Sequence, residues 1–305
     1  MGRTLAYVGI PTSLGSYCPG QEKAPKAFRA AGFPEMLRKE GLAVVDYGDL
    51  PVRRWCPDKK NLFAQHREAV VACVRETEAH LSESVSQGLI PVVIGGNCTI
   101  ELGVVAANLR KRESLGLIYL DLHADLNTPA STAEGSLDWM GMAHALDLPG
   151  CLDLLADVLG TRPLLEPHQV AWLGVEDDPA TDWERQQARR LGLHVTSSDD
   201  LRLDPTTAAL ESLGRLPSGP LAVHIDVDVL DFIDAPLAEN TDGRNTGPTL
   251  DQVAMALEVA ARDERFRALS IGELNPTRSA GDPDVIRRFV AAVAAVMGGA
   301  QGSFS

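Results

Sequence analysis

The sequence has no apolar run near the roughly 18 residues that a membrane helix needs. It has no CxxC pair. Its five cysteines, Cys18, Cys56, Cys73, Cys98 and Cys151, are scattered and odd in number. That pattern argues against a disulfide framework and for a reducing, cytoplasmic setting. It also lacks positive charge: 28 Lys and Arg stand against 42 Asp and Glu, a formal net charge of -14. Nucleic acids and anionic membranes select for Lys/Arg patches, so neither is expected as a partner. A cationic small molecule is compatible with such a chain. The N-terminal stretch MGRTLAYVGIP carries one Arg and a short apolar run with no small-residue cleavage site after it, unlike a secretory leader. No linker, repeat or low-complexity segment is visible, and one domain over residues 1–305 is expected, with the terminal GSFS frayed.

What is present is alternation. Eight β-rich runs, at 4–10, 42–48, 89–96, 115–121, 170–175, 192–196, 220–226 and 266–274, are separated by helical patterns at 23–39, 62–87, 99–110, 251–262 and 284–298. Asn97 or Thr99 is a candidate cap for the third helix, and Thr249 precedes the fourth. Several strand runs are almost continuously apolar, as strands covered on both faces are. The alternation predicts an α/β fold of three layers, with helices on both faces of a mostly parallel eight-stranded sheet. In such sheets ligands gather beyond the carboxyl ends of the strands.

The reactive residues fall at those ends. The 115–121 strand runs into Asp121-Leu122-His123-Ala124-Asp125, and the 220–226 strand into Asp226-Val227-Asp228. Residues two apart in extended chain point the same way, so each set can converge. The 89–96 strand ends in Gly95-Gly96-Asn97-Cys98, and the last in Gly272-Glu273-Leu274-Asn275-Pro276. Carboxylates at the buried end of an apolar strand cost several kcal/mol unless compensated, and two pairs would repel each other. One or two divalent cations are the simplest compensation. Oxygen and imidazole donors suit Mn, Fe or Mg better than a structural zinc. Ordinary caps and turns are the plainer reading of either acid motif taken alone.

These segments, "GGNCT", "DLHADLNTP", "HIDVDVLD" and "GELNP", resemble in order the four signature segments of the ureohydrolase family, which includes arginase, agmatinase and formimidoylglutamase. The opening "GIPTSLGSYCPGQEKAPKAFRAAG" resembles the first strand, loop and helix of arginase. The resemblance runs from about residue 5 to about residue 290. It implies a single-domain arginase-like fold, a binuclear manganese centre and a homo-oligomer. Asp121 and Asp226 resemble the carboxylates that bridge the metals. Asp125 resembles a ligand of the first metal and a proton shuttle. His123 and Asp228 resemble ligands of the second. Glu273 resembles the acid that grips the guanidinium. Asn127 resembles a residue that binds the amino-acid end, and Asp178 resembles, across a one-residue gap, an acid that contacts the substrate amine. The implied reaction is attack by a metal-bridging hydroxide on the guanidino carbon, releasing urea or hydroxyurea.

The chain departs from this pattern in two places. Arginase reads Gly-Gly-Asp-His-Ser where this chain reads Gly-Gly-Asn-Cys-Thr, so Cys98 stands in place of a histidine metal ligand. A thiolate is a softer ligand than imidazole, and Cys98 is either an altered ligand or a small buried filler. The second departure follows Asn127. The shuttle histidine is missing, and Asp138 or Met140 holds its place; His144, a few residues on, is the candidate substitute. Glu134 stands where a small hydroxyl residue would help bind a carboxylate, which disfavours a free α-carboxylate. Trp139 either walls the pocket or packs, and His224, on the face of Asp226, either supports the ligands or is a satisfied core histidine. The expected activity is cleavage of a guanidino C–N bond in a small guanidino substrate. The alternatives are a formimino hydrolase, a non-catalytic binding protein of the same fold, or a deacetylase.

Overall fold

A computed structural model describes residues 3–110 and 114–299. The GSFS tail lies outside the described residues. Eight strands form one sheet: β1 (Thr4–Gly9), β2 (Ala43–Asp49), β3 (Ile90–Ile94), β4 (Gly116–Leu120), β5 (Val170–Val175), β6 (His194–Ser197), β7 (Leu221–Asp226) and β8 (Phe266–Gly272). Their order is β2-β1-β3-β8-β7-β4-β5-β6, and every adjacent pair runs parallel.

Period-two alternation splits the strands between two cores. Val92 and Ile94, Ile118 and Leu120, and Val223 and Ile225 pack on one face. Val93, Leu117, Tyr119 and Trp172 pack on the other. The central strands β3, β4, β5 and β7 are buried at every position, which is why they read as unbroken apolar runs. The edge strand β2 is mixed, with Val45 exposed.

Helix boundaries moved where capping and turn chemistry intervened. The segment expected as one helix at 23–39 is two, Ala24–Ala30 and Phe33–Lys39. Gly32, at φ 82°, makes the break, and Pro34 starts the next helix. The long amphipathic helix begins at Arg67 rather than 62. Thr99 sits at the N-cap of Ile100–Leu109, but its side chain makes no cap bond. Asn97 Oδ1 instead accepts from the Thr99 N–H at 3.2 Å and from its hydroxyl at 2.5 Å. Thr249 caps Leu250–Arg262 in a reciprocal box with Gln252.

The strand order positions the site. The chain builds β1–β3, skips outward to β4–β6, and returns to insert β7 and β8 between β3 and β4. The carboxyl ends of β3, β8, β7 and β4 are therefore four consecutive neighbours, although they come from four distant parts of the chain.

Candidate metal centre and pocket

The donors come at or soon after the strand ends: Asp226 is the last paired residue of β7, Asp121 and Glu273 follow β4 and β8 directly, and Cys98 lies four residues past β3. After β3 the backbone passes so close to Thr12 that a Cβ on Gly96 would lie 1.6 Å from the Thr12 carbonyl oxygen. Glycine at 96 lets the loop turn down and seat Cys98, which is 1% exposed. After β8, the Glu273 N–H donates to the Gly96 carbonyl at 2.7 Å. That bond ties the two loops together. Glu273 holds φ 61°, and Asp125 φ 53°. Left-handed backbone in a non-glycine residue costs about 1–3 kcal/mol and persists where surrounding structure enforces it.

The donors converge. The ligand atoms of Cys98, Asp121 and Asp125 lie within 4.8 Å of one another, as do those of Asp121, His123 and Asp228, and those of Cys98, Asp226 and Glu273. Asp121 is common to the first two groups. Its Oδ1 accepts from the His123 N–H at 2.6 Å, while its Oδ2 is buried with no partner. His123 Nδ1 is 3.0 Å from Asp228 Oδ2. Asp228 also accepts from the Leu122 N–H at 3.1 Å and from Asn240 Nδ2 at 2.9 Å. Asp226 takes the Asp228 N–H at 2.7 Å and the Cys98 thiol at 2.9 Å. The Tyr119 hydroxyl donates to Asp125 at 2.5 Å.

The electrostatics are those of crowded acids. Burial, then repulsion from Asp228, pushes Asp121 up to about 7. Burial raises Asp125, Asp226 and Glu273 well above the carboxylate range, with Asp121, Asp228 and Asp138 as their respective chief repellers. Burial also pushes up Asp228, but the charge and hydrogen bond of His123 outweigh it and bring that group down to about 2. Burial holds the Cys98 thiol well above its usual value. An unpartnered buried acceptor among like charges is the complement of a cation. The donor set of carboxylates, one imidazole and one thiol therefore fits divalent metal.

A second layer holds the first. His224 is fully buried, with Nε2 3.2 Å from Cys98 Sγ and Nδ1 2.9 Å from Ser270 Oγ. Ser270 in turn donates to Glu101. Tyr119 stacks on the His224 ring at 4.8 Å between centroids. Both readings offered for His224 hold at once: it is satisfied, and it supports a donor. Gln21 Nε2 donates to Glu273 Oε2 at 3.0 Å, and the Cys98 N–H donates to Oε1 at 3.0 Å.

Above the donors lies a cavity of about 320 Å³ lined also by Tyr17, Glu134, Ser136, Asp138, Trp139, Glu239 and Asn240. Trp139 thus walls the pocket. Asp138, not Met140, faces it, since Met140 is fully buried in the apolar core. Three expected site residues lie elsewhere. His144 is buried away from the cavity, with Nδ1 on the Met140 carbonyl at 2.7 Å and Nε2 accepting from the Leu152 N–H at 3.1 Å. Burial lowers its pKa to about 4, so it is a neutral structural histidine. Asp178 is exposed on the loop after β5 and off the cavity lining. Asn127 is fully buried behind the wall, its Oδ1 taken by Thr181 at 2.9 Å and Ser131 at 3.2 Å. Sequence reasoning gave no role to Gln21, Glu239 or Asn240. The first sits in the opening segment whose resemblance was noted, but no local pattern marks the other two.

The model of the arginase family matches residues 3–298. The chain belongs to the arginase family. This arginase-family chain is 26% identical to the arginase of Bacillus caldovelox over 283 residues, 90% of this chain and 91% of that one. The solved structure of that arginase superposes with a TM-score of 0.86 at 24% identity, covering 97% of this chain and 98% of the other. Human arginase-1 is 28% identical over 298 residues, 96% of this chain and 91% of its own. The proclavaminate amidino hydrolase of Streptomyces clavuligerus superposes with a TM-score of 0.74 at 18% identity, over 100% and 93% of the two chains. Members of the arginase family depend on a binuclear manganese centre and are hydrolases acting on C–N bonds of linear amidines, and this chain is a hydrolase acting on such bonds.

Proposed function

We propose that the chain is an amidinohydrolase that splits a guanidino C–N bond to release urea, or hydroxyurea from an N-hydroxyguanidine. The observation that carries this is the position of Asp121, common to two groups of donor atoms beside a cavity that Glu273 lines. Two manganese ions would be held by Cys98, Asp121, Asp125, His123, Asp226 and Asp228, and would supply an ionised water and stabilise developing charge. Cys98 is a ligand of the first ion in this reading, and its softness alters that ion's affinity.

The chain's own residues do the rest. Glu273, fixed by the Cys98 N–H and Gln21, binds and orients the guanidinium. Asp125, held by Tyr119, takes the proton lost by water and returns it to the leaving amine. Water and the guanidino compound thus become urea and an amine, with no net gain or loss of protons beyond those of water. We read residues 1–305 as one catalytic domain, acting in the cytoplasm on the strength of five free cysteines. The homo-oligomer remains part of the proposal, and light scattering tests it.

The test is urea release, with Mn content confirmed, across arginine, N-hydroxyarginine, agmatine and 4-guanidinobutyrate, with formamide release measured from formimino compounds. Silence on every guanidino compound by a protein carrying two Mn ions would sink the proposal. Formamide release alone would move the chain to the formimino class.

A further inference from the structure

The cavity wall around the donors carries many more acids than bases. Among its lining residues there is no Lys or Arg, and the one base, His123, is paired to Asp228. Glu239 is met from outside by Asn275 Nδ2 at 2.5 Å and by Arg278 at 3.9 Å. Glu134 and Asp138 form no ion pair among the described residues. Glu134 has one long bond, from the Ser136 hydroxyl at 3.4 Å. Asp138 accepts the Trp139 N–H at 3.0 Å and is also hydrogen-bonded by the Ser16 side chain. Burial, with Glu134 repelling it, pushes Asp138 up to about 7. Asp138 also repels Glu273, so it stands within electrostatic reach of the acid assigned to the guanidinium. Next to Glu273, the fully buried Gln21 leaves its Oε1 without a donor. Tyr17 and Trp139 line the same cavity and supply aromatic surface there.

Resting on the reading above, we propose that the pocket selects a guanidino compound whose other end is a second cation, an amine without a free carboxylate, held by Glu134 and Asp138. The guanidinium meets Glu273, which lines the cavity. The distal ammonium meets the two unpaired acids, with an aromatic face beside it. A carboxylate at that end would face both acids with no base to receive it, and like-charge contacts of this kind discriminate strongly. The acids are thereby specificity-determining residues of the same site.

The experiment uses the full-length Mn-loaded protein and three probes with one guanidino head: agmatine, with an amine end; 4-guanidinobutyrate, with a carboxylate end; and arginine, with both. Binding is measured by calorimetry and turnover by urea. Agmatine is expected to bind, and to be turned over by kcat/KM, at least about tenfold better than 4-guanidinobutyrate, with arginine between them. In Glu134→Gln/Asp138→Asn the preference should shrink to within about threefold, through weaker agmatine binding. Reversed or equal ranking, no binding of agmatine, or an unchanged preference in the variant would overturn the inference. Acid-dependent agmatine binding without urea would uphold it while removing the hydrolytic reading. Urea from arginine or 4-guanidinobutyrate in preference to agmatine would do the reverse.

Discussion

Replacing Asp121 by Asn should make the metal-free protein more stable while abolishing its response to metal. Asp121 is fully buried, and its Oδ2 has no partner. Its carboxyl titrates at about 7 rather than its ordinary 3.8, because burial and Asp228 disfavour the charge. A folded-state pKa raised above the unfolded value means that the folded protein holds the proton more tightly. The penalty is therefore absent below about pH 4, grows between pH 4 and 7, and is complete above 7. At about 1.4 kcal/mol per tenfold in proton affinity, it reaches at most about 4 kcal/mol. Asparagine keeps the bond from the His123 N–H through its Oδ1. Its NH2 gains no sure acceptor, which costs about 1–3 kcal/mol. The net gain at pH 8 is about 1–3 kcal/mol. A chain of this length melts with an entropy near 0.6 kcal/mol/K, so the midpoint should rise by about 2–5 °C. The wild-type protein behaves in the opposite way. At a hundredfold excess over Kd each bound ion adds about 2.7 kcal/mol, and two ions raise the midpoint by about 8 °C. Calorimetry of chelator-treated and Mn-loaded protein at pH 5 and pH 8 measures all four quantities. A metal-free Asp121→Asn protein that melts lower at pH 8, or one that keeps the Mn shift, would refute the reasoning.

Three further outcomes are expected. Cys98→Ala should lower bound Mn from two ions to about one by elemental analysis while Cys98→His keeps two; unchanged metal in the alanine variant would make Cys98 a filler. Gln21→Ala should cut kcat/KM by about 10- to 100-fold, because Glu273 loses the donor that aims it; a change under about twofold would show that the Cys98 N–H suffices. His144→Ala should cost about 2–4 kcal/mol in urea unfolding through its two broken backbone bonds, yet leave kcat of the folded protein within about twofold. A kcat loss larger than the folded fraction accounts for would return His144 to the site.

The convergence of the candidate donors was legible because they occupy a place that topology dictates. Asp121, Asp226, Cys98 and Glu273 each follow an apolar run, and a parallel sheet turns "after the strand" into "in the site". His123 and Asp228 follow by alternation from the same strand ends. The pocket above them was less legible. Asp138 and Met140 are two residues apart, and only the short turn at Asp138–Met140 decides which one faces the cavity. Glu239 and Asn240 reach the site from a long loop after β7 that has no periodicity to read. His144 lies off the cavity because both its ring nitrogens are spent on neighbouring backbone, while Asn127 lies off the lining with Oδ1 bonded to Thr181 and Ser131 and Nδ2 without a partner. The break in the first helical segment was written in Gly32 and Pro34, but amphipathic spacing on either side masked it.

The strand order also has a consequence in time. The two strands at the middle of the sheet, β7 and β8, are the last two to be made. Until they enter between β3 and β4, Cys98 and Asp121 lie on edges separated by a gap two strands wide. A nascent or truncated chain ending before Asp226 therefore has four of the six donors, Cys98, Asp121, His123 and Asp125, and lacks Asp226, Asp228 and Glu273. Insertion of late strands into a waiting cleft is a long-range event and a slow one. A complete donor set, with Asp226 and Asp228, exists only after it. In this molecule the loaded metal would report that synthesis and assembly of the sheet had been completed.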